Sequence, residues 1–278
     1  MNYLIAIILG LVQGVTEFLP ISSSGHLAVL QNLFDVQDVE ADHTFFSVLL
    51  HLATLVSVCI VYREDIKGMI MEAFAFIHDA RHPKPGHDGV KPQRRLLLMI
   101  IISIIPLFIV LPFKDYVESL SSSTMFIGFA FLFTGLMLML SDKMQNGRKT
   151  EKNMSIKDAL VIGACQAVAV LPGISRSGAT ITSGMAVGLK RSFAVKFSFL
   201  MSLPAILGAN ILELFDAFSQ GIDWSVMPMY LVGMIVAGIT GYFAIGLVRM
   251  LSQKGKFGKF CYYCFAAGAV TIILNIVL

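Results

Sequence analysis

The sequence predicts an all-α integral membrane protein of about six transmembrane helices and two re-entrant helical hairpins, arranged as an inverted-topology repeat. Three observations predict it. Of the 278 residues, 56% are hydrophobic and only 14% charged, whereas soluble domains carry roughly 25% charge. Six apolar segments, 44–62, 96–113, 124–140, 193–213, 229–248 and 260–277, are long enough to cross a hydrocarbon core about 30 Å thick. Two further apolar stretches are too short to cross and run into polar clusters rich in Pro, Ser and Gly.

The first short stretch, 3–12, makes a helix of only about 15 Å at 1.5 Å per residue. It is followed by Gln13 and Glu17 and then by the cluster 20–25. Nothing in Met1-Asn2-Tyr3 supplies the basic start of a cleaved signal peptide, so this stretch is read as part of the fold. The second, 159–171, contains Gln166 and leads into the cluster 172–178. A short helix, a polar break and a returning helix describe a re-entrant hairpin, which survives at membrane depth only inside protein or beside a water-filled cavity.

Charge distribution tests this topology. Lys and Arg number seven in 63–95, five in 143–157, three in 190–196 and four in 249–259, hence 19 of the 21 in the chain. All four stretches share one side if both hairpins re-enter and the six segments span. Basic residues favour the cytoplasm, so that side is inside. The opposite loops hold Asp35, Asp38, Glu40 and Asp42, then Asp115 and Glu118, then Asp216 and Asp223. The first hairpin therefore enters from outside and the second from inside. The stretch 66–78 is expected to lie along the inner interface as an amphipathic helix, and the loop 79–95, with His82, His87, Pro83, Pro85 and Pro92, to be solvated. A net charge of +3 gives no reason to expect a nucleic-acid partner.

Opposed hairpins imply a repeat. At a constant offset of 153, Gly10, Gln13, Val15, Ile21, Ser22, Ser24 and Gly25 match Gly163, Gln166, Val168, Ile174, Ser175, Ser177 and Gly178. The halves are then 1–140 and 155–278 of a single membrane domain. The cysteines, Cys59, Cys165, Cys261 and Cys264, lie in apolar surroundings. The Cys261-Tyr-Tyr-Cys264 spacing has no accompanying second pair or His cluster, so these are read as small buried hydrophobes.

Glu17 and Arg176 interrupt stretches at membrane depth, where a charge costs roughly 2.5–3.5 kcal/mol on the insertion scale. Such residues face cavities and carry function, or pair structurally with each other. Gln13 and Glu17 are four apart, on one helix face. Pro20 stops that helix, and Ser22, Ser23, Ser24, Gly25 and His26 open the next. The second motif, Pro172-Gly173-Ile174-Ser175-Arg176-Ser177-Gly178-Ala179-Thr180, repeats the stop and restart. Helix N-termini bind anions, and an arginine fork beside hydroxyls suits a phosphate. The first motif thus offers acid, hydroxyl and imidazole, and the second an anion clamp: the makings of a phosphoryl-transfer centre.

These motifs resemble those of the undecaprenyl-diphosphatase (bacitracin-resistance) family, in a (Glu/Gln)-x-x-x-Glu stretch before a Ser-x-Gly-His turn and in a Pro-Gly-x-Ser-Arg-Ser-x-x-Thr motif. The resemblance covers the whole chain in length, segment order and motif spacing. This chain has Gln13 where many members have Glu, so a metal held by two carboxylates does not transfer directly. The resemblance implies hydrolysis of undecaprenyl diphosphate, a polyprenyl lipid substrate, a divalent cation (magnesium or calcium) at Glu17, a bacterial cytoplasmic membrane and a cleft facing outward. It leaves a homodimer open. On this reading Arg176 clamps the terminal phosphate with Gly173, Ser175, Ser177 and Thr180 around it. Ser23 attacks, His26 serves as its general base, and Glu17, with Gln13, orients His26 or holds the cation. Ser22, Ser24 and Gly25 line the substrate. Attack by His26 itself or by a metal-bound water stays open, as does a transporter, whose sequence signature is similar. His51 and Asn210 either line the cleft or bridge helices.

Overall fold

A computed structural model describes residues 2–33, 40–81, 91–220 and 224–277. The outer acidic cluster at 35–42 and the loop with His82 and His87 fall largely outside the described residues. Twelve helices are present in the described chain: α1 (Tyr3–Phe18), α2 (Ser23–Leu33), α3 (Glu40–Val61), α4 (Arg63–Arg81), α5 (Pro92–Ile104), α6 (Lys114–Ser119), α7 (Thr124–Ser141), α8 (Ile156–Val168), α9 (Arg176–Ala186), α10 (Arg191–Gln220), α11 (Met227–Gln253) and α12 (Phe260–Val277). Short 3-10 turns join some of them. The chain is an all-α, multi-pass membrane protein.

Among the described residues five segments are long and apolar enough to span, namely Pro92–Ser122, Thr124–Ser141, Arg191–Phe215, Trp224–Gln253 and Phe257–Val277. Phe45–Val61 and Arg63–Phe76, which meet at an 87° bend, make a sixth only when the two are taken together. The Pro92–Ser122 segment is not one regular helix. Pro106 and Pro112 each lack the N–H that would continue the ladder, and the chain passes through 3-10 turns at Ile105–Ile109 and Leu111–Phe113. Lipid-facing side chains such as Phe129, Phe133, Ile235 and Phe243 are exposed, as apolar helices in a bilayer should leave them.

The two short hairpins are α1–α2 and α8–α9. The apolar run 3–12 is only part of the first helix: α1 carries on through Gln13 and Glu17 to Phe18, just before the Pro20 expected to stop it. Gln13, Thr16 and Glu17 lie on a face buried against protein. At about 24 Å α1 is still too short to span. The hairpins' first helices pack across the halves. α1 lies on α11, where a Cβ on Gly10 would collide with the Gly233 carbonyl, and α8 lies on α5, where one on Gly163 would collide with the Ser103 carbonyl. Small residues let membrane helices approach this closely. Cys261 and Cys264 are buried and unbridged, as expected of small hydrophobes.

The linker between the halves is stapled to the loop after α9. Lys149 N–H donates to the Gly188 carbonyl at 3.0 Å, and Lys190 N–H returns a bond to Lys149 at 2.9 Å. Ser155 and Asp158 form a reciprocal capping box at the start of α8, and Lys149 Nζ bonds both Asp158 carboxylate oxygens at 2.9 Å.

Candidate active site

The tips of the two hairpins meet. Gly25, in the first turn of α2, leaves room for Gly173: a Cβ added there would lie 2.9 Å from Gly173 Cα and 2.8 Å from the Phe131 ring. Gly173 itself has φ +88°, a conformation glycine adopts without strain. Ser177, in α9, donates to the Leu19 carbonyl at 3.2 Å. These backbone approaches bring the charged side chains together.

Glu17 is the hub. Its Oε1 accepts from the Arg176 guanidinium, while Oε2 accepts from Ser23 Oγ at 2.6 Å and from Gln13 Nε2 at 3.1 Å. His51 Nε2, from α3, lies 3.7 Å from the same Oε2. The Glu17 side chain is 2% exposed and that of Arg176 23%, so the pair opens toward solvent on the arginine's side. Removing one partner of a buried pair costs about 3–5 kcal/mol, because the other charge is stranded. Behind Glu17, a space of only about 10 Å³ remains among Phe18, Arg176, Ser177, Ser198, Phe199 and Ser202.

Ser23 and His26 do not meet as the sequence led one to expect. Ser23 turns back to Glu17. His26 Nδ1 lies 2.6 Å from the Ser22 carbonyl and Nε2 2.7 Å from the Tyr263 hydroxyl. A carbonyl only accepts, so Nδ1 carries a proton, and in the neutral ring Nε2 accepts from the Tyr263 hydroxyl. The imidazole ring also stacks near Tyr263, with centroids 5.6 Å apart at 15°. The His26 ring meets Phe131 as well, with centroids 4.9 Å apart.

The remaining candidates divide between scaffold and surface. Ser22 Oγ accepts from Gly25 N–H at 3.3 Å and shares a hydrogen bond with Ser24. Ser175 caps α9 by accepting from Gly178 N–H at 3.1 Å, and shares one with Ser177. Thr180 is buried and bonds Ser198 at 2.6 Å and the Arg176 carbonyl at 2.8 Å. Ser175, Ser177 and Thr180 thus build the turn that holds Arg176, and Ser24 is exposed beside Ser23. Asn210 is buried, with its Nδ2 lacking a partner among the described residues.

Three contributors escaped the sequence reading. Tyr263 lies 237 residues from His26, inside a Cys-x-x-Cys spacing that drew attention to its flanks. Thr134, on α7, accepts from Ser175 N–H at 3.1 Å and donates to the Gly173 carbonyl at 3.3 Å, fixing the second turn. Ser198 anchors Thr180. A lone Thr or Ser in an apolar helix carries no sequence signal of such a task.

Among the described residues no group of three or more His, Cys, Asp or Glu could hold a metal ion. The local donors are nonetheless of the right kind. Gln13 Oε1 is buried without a protein partner, beside the Glu17 carboxylate, and hard cations take oxygen ligands. A divalent ion with few protein ligands, completed by phosphate oxygens, fits this set.

The family model described as "Bacitracin resistance protein BacA" matches residues 6–270. A protein of Carboxydothermus hydrogenoformans named undecaprenyl-diphosphatase is 40% identical over 281 residues, covering 99% of this chain and 98% of its own. A protein of the same name from Halothermothrix orenii is 39% identical over 269 residues, or 96% of each chain. Another from Methanosphaera stadtmanae is 39% identical across the full length of both. The chain belongs to the BacA family.

Proposed function

We infer that this member of the family hydrolyses undecaprenyl diphosphate to undecaprenyl phosphate and inorganic phosphate, recycling the lipid carrier for cell-wall synthesis. The single observation that carries the site assignment is the Glu17 carboxylate bridging Ser23 from one hairpin and Arg176 from the other. A nucleophilic hydroxyl, its proton acceptor and a guanidinium fork then stand within one carboxylate's reach. That is the minimum set for phosphoryl transfer through a serine.

In the proposed mechanism the terminal phosphate enters on the exposed side of Arg176 and takes over the guanidinium fork, which suits phosphate bidentately. Glu17, no longer committed to Arg176, receives the Ser23 proton as Oγ forms its bond to phosphorus. The bond from phosphorus to the bridging oxygen breaks, and undecaprenyl phosphate leaves with that oxygen. Glu17 passes that proton to the departing phosphate and is ionised again. Water then attacks the phosphoserine, giving one proton to Glu17, which hands it to Ser23 Oγ as the phosphorus–Oγ bond breaks and inorganic phosphate is released. Arg176 and the N–H groups opening α2 and α9 stabilise the charge on the transferring group. His26 and Tyr263 form a polar pair at the mouth, suited to orienting the diphosphate, and not the base for Ser23.

Gln13 Oε1 and Glu17 would hold a magnesium- or calcium-class ion, which supplies charge neutralisation to a bound diphosphate. The halves 1–140 and 155–278 act as inverted repeats in this reading, supported by the exchanged packing of α1 on α11 and α8 on α5. The basic stretches face the cytoplasm of a bacterial cell and the Ser23 cleft opens outward.

The test is phosphate release from undecaprenyl diphosphate by purified protein in detergent, where there is no membrane to cross. Turnover that Arg176→Ala abolishes is expected. A wild-type protein that releases no phosphate would contradict the reading and leave a transporter.

A further inference from the structure

A cleft of about 390 Å³ lies apart from the Glu17–Arg176 pair, and every one of the four basic stretches contributes to its wall. Asp65 comes from the first, Thr150 and Glu151 from the second, Lys190, Ser192 and Lys196 from the third, and Arg249 from the fourth. The rings of Phe18, Phe199 and Tyr62 separate it from the active site, with centroids 5.4 Å apart for Phe18–Phe199 and 6.3 Å for Tyr62–Phe199.

The charges in this cleft are unevenly matched. Asp65 is neutralised by Lys196. That leaves Lys190 and Arg249 facing Glu151 alone, an excess of one positive charge. The Arg249 guanidinium sits 5.6 Å from the centroid of the Tyr62 ring, with its fork free of any described carboxylate partner. Tyr62 is 5% exposed, and its buried hydroxyl has no protein partner; an unpaired buried hydroxyl is costly unless something bonds it. The 30-residue helix α10 begins at this cleft, with Ser192 and Phe193 in its first turn, and adds a positive dipole end, although the amides of Arg191, Phe193 and Ala194 are already bonded to Asn146 Oδ1 and the Lys190 carbonyl.

We propose that this cleft is a second, non-catalytic anion site, which binds a phosphate or phosphate-monoester group through Arg249, Lys190 and Tyr62. Arginine, lysine and a phenol form a donor set matched to a tetrahedral oxyanion. A single net positive charge favours a group carrying one or two negative charges over the more highly charged diphosphate. The occupant is either free inorganic phosphate or the head group of a polyprenyl phosphate lipid.

The experiment uses full-length protein in detergent carrying Arg176→Ala, which removes the outer clamp. Inorganic phosphate and a polyprenyl monophosphate are titrated separately, with 31P line broadening as the readout. Saturable binding of either probe is expected, weakened at least about 10-fold by Arg249→Ala and severalfold by Tyr62→Phe, which keeps the ring and its packing. Binding of free phosphate would assign the site to the ion; binding of the lipid alone would assign it to the head group. Lys256→Ala, a basic residue on the same side but outside the cleft, should leave binding unchanged. In protein that retains Arg176, Tyr62→Phe and Lys190→Ala should keep the phosphatase rate within about twofold, since neither touches Glu17 or Ser23. No saturable binding of either probe would overturn the proposal. So would equal weakening by Lys256→Ala, or full binding in both Arg249→Ala and Tyr62→Phe.

Discussion

The two Ser-x-Ser-Gly turns share a hydrogen-bond plan and differ in what they present. In each, the first serine caps the following helix through the glycine N–H, Gly25 or Gly178, and the two serines share a hydrogen bond of 3.3 Å. In each, the next amide, of His26 or Ala179, bonds the first serine's carbonyl, at 3.3 and 2.9 Å. The residue between the serines is Ser23 in one and Arg176 in the other. One scaffold thus displays an attacking group and the other an anion clamp.

The turns also close differently. Four residues, 19–22, join α1 to α2, whereas seven, 169–175, join α8 to α9. The longer α1 keeps Glu17 on its last turn, at the tip, while the matching position 170 is a valine beyond the end of α8. The tight first turn forces Ser22 to φ +70°, which costs a non-glycine residue about 1–2 kcal/mol. The roomier second turn places its left-handed residue at Gly173 instead, and Ser175 sits relaxed at φ −73°. The first turn accepts strain to deliver a carboxylate; the second has none to deliver.

Exchanging function between the turns should break the comparison in a graded way. The largest effect belongs to Ser23→Ala, expected to cut kcat by about 10³-fold or more as loss of a nucleophile, while Ser24→Ala stays within a few fold. Steady-state phosphate release measures both; equal losses would erase the distinction between the serines. Next, Arg176→Lys keeps the charge but loses the fork, and kcat/KM should fall about 100-fold, with size-exclusion behaviour unchanged. Near-normal turnover would show that a point charge suffices.

Smaller effects probe the strain. Glycine at position 22 should be more stable than alanine by about 1 kcal/mol beyond the same difference at position 175, because only Ser22 occupies the left-handed region. Thermal unfolding of the four variants measures it, and equal differences would deny the strain. The smallest effect on activity concerns the paired glutamines. Gln166 is 1% exposed and neither of its side-chain polar atoms has a protein partner, whereas Gln13 holds Glu17. Gln166→Leu should raise stability by about 1–3 kcal/mol, because it removes a buried amide with no protein partner, and leave activity intact, whereas Gln13→Leu should impair activity. Loss of activity in Gln166→Leu would give the second glutamine a role that its contacts do not.

Much of this was legible in the sequence, because each legible part rested on a strong local cost. Charges at Glu17 and Arg176 inside apolar stretches, prolines that stop helices and basic loops on one side all have large energetic consequences that composition reveals. The end of α1 was legible from Pro20, but the burial of Gln13 and Thr16 on its inner face was not, since it depends on neighbours brought by other helices. The expected Ser23–His26 pair failed for a similar reason. Residues three apart share a helix face, but Glu17, six residues earlier and across a turn, competes for Ser23 at 2.6 Å. Tyr263 and Thr134 reach the site only through the packing of α12 and α7, which no spacing in the chain encodes.

The central claim is that the first turn supplies the attacking group and the second the clamp. Rapid-quench reaction of the protein with undecaprenyl diphosphate labelled in its terminal phosphate, followed by peptide mapping, tests it most directly. The account predicts label on Ser23 in the wild-type protein and none in Ser23→Ala. Label on His26, or hydrolysis at full rate with no labelled residue at any quench time, would contradict it.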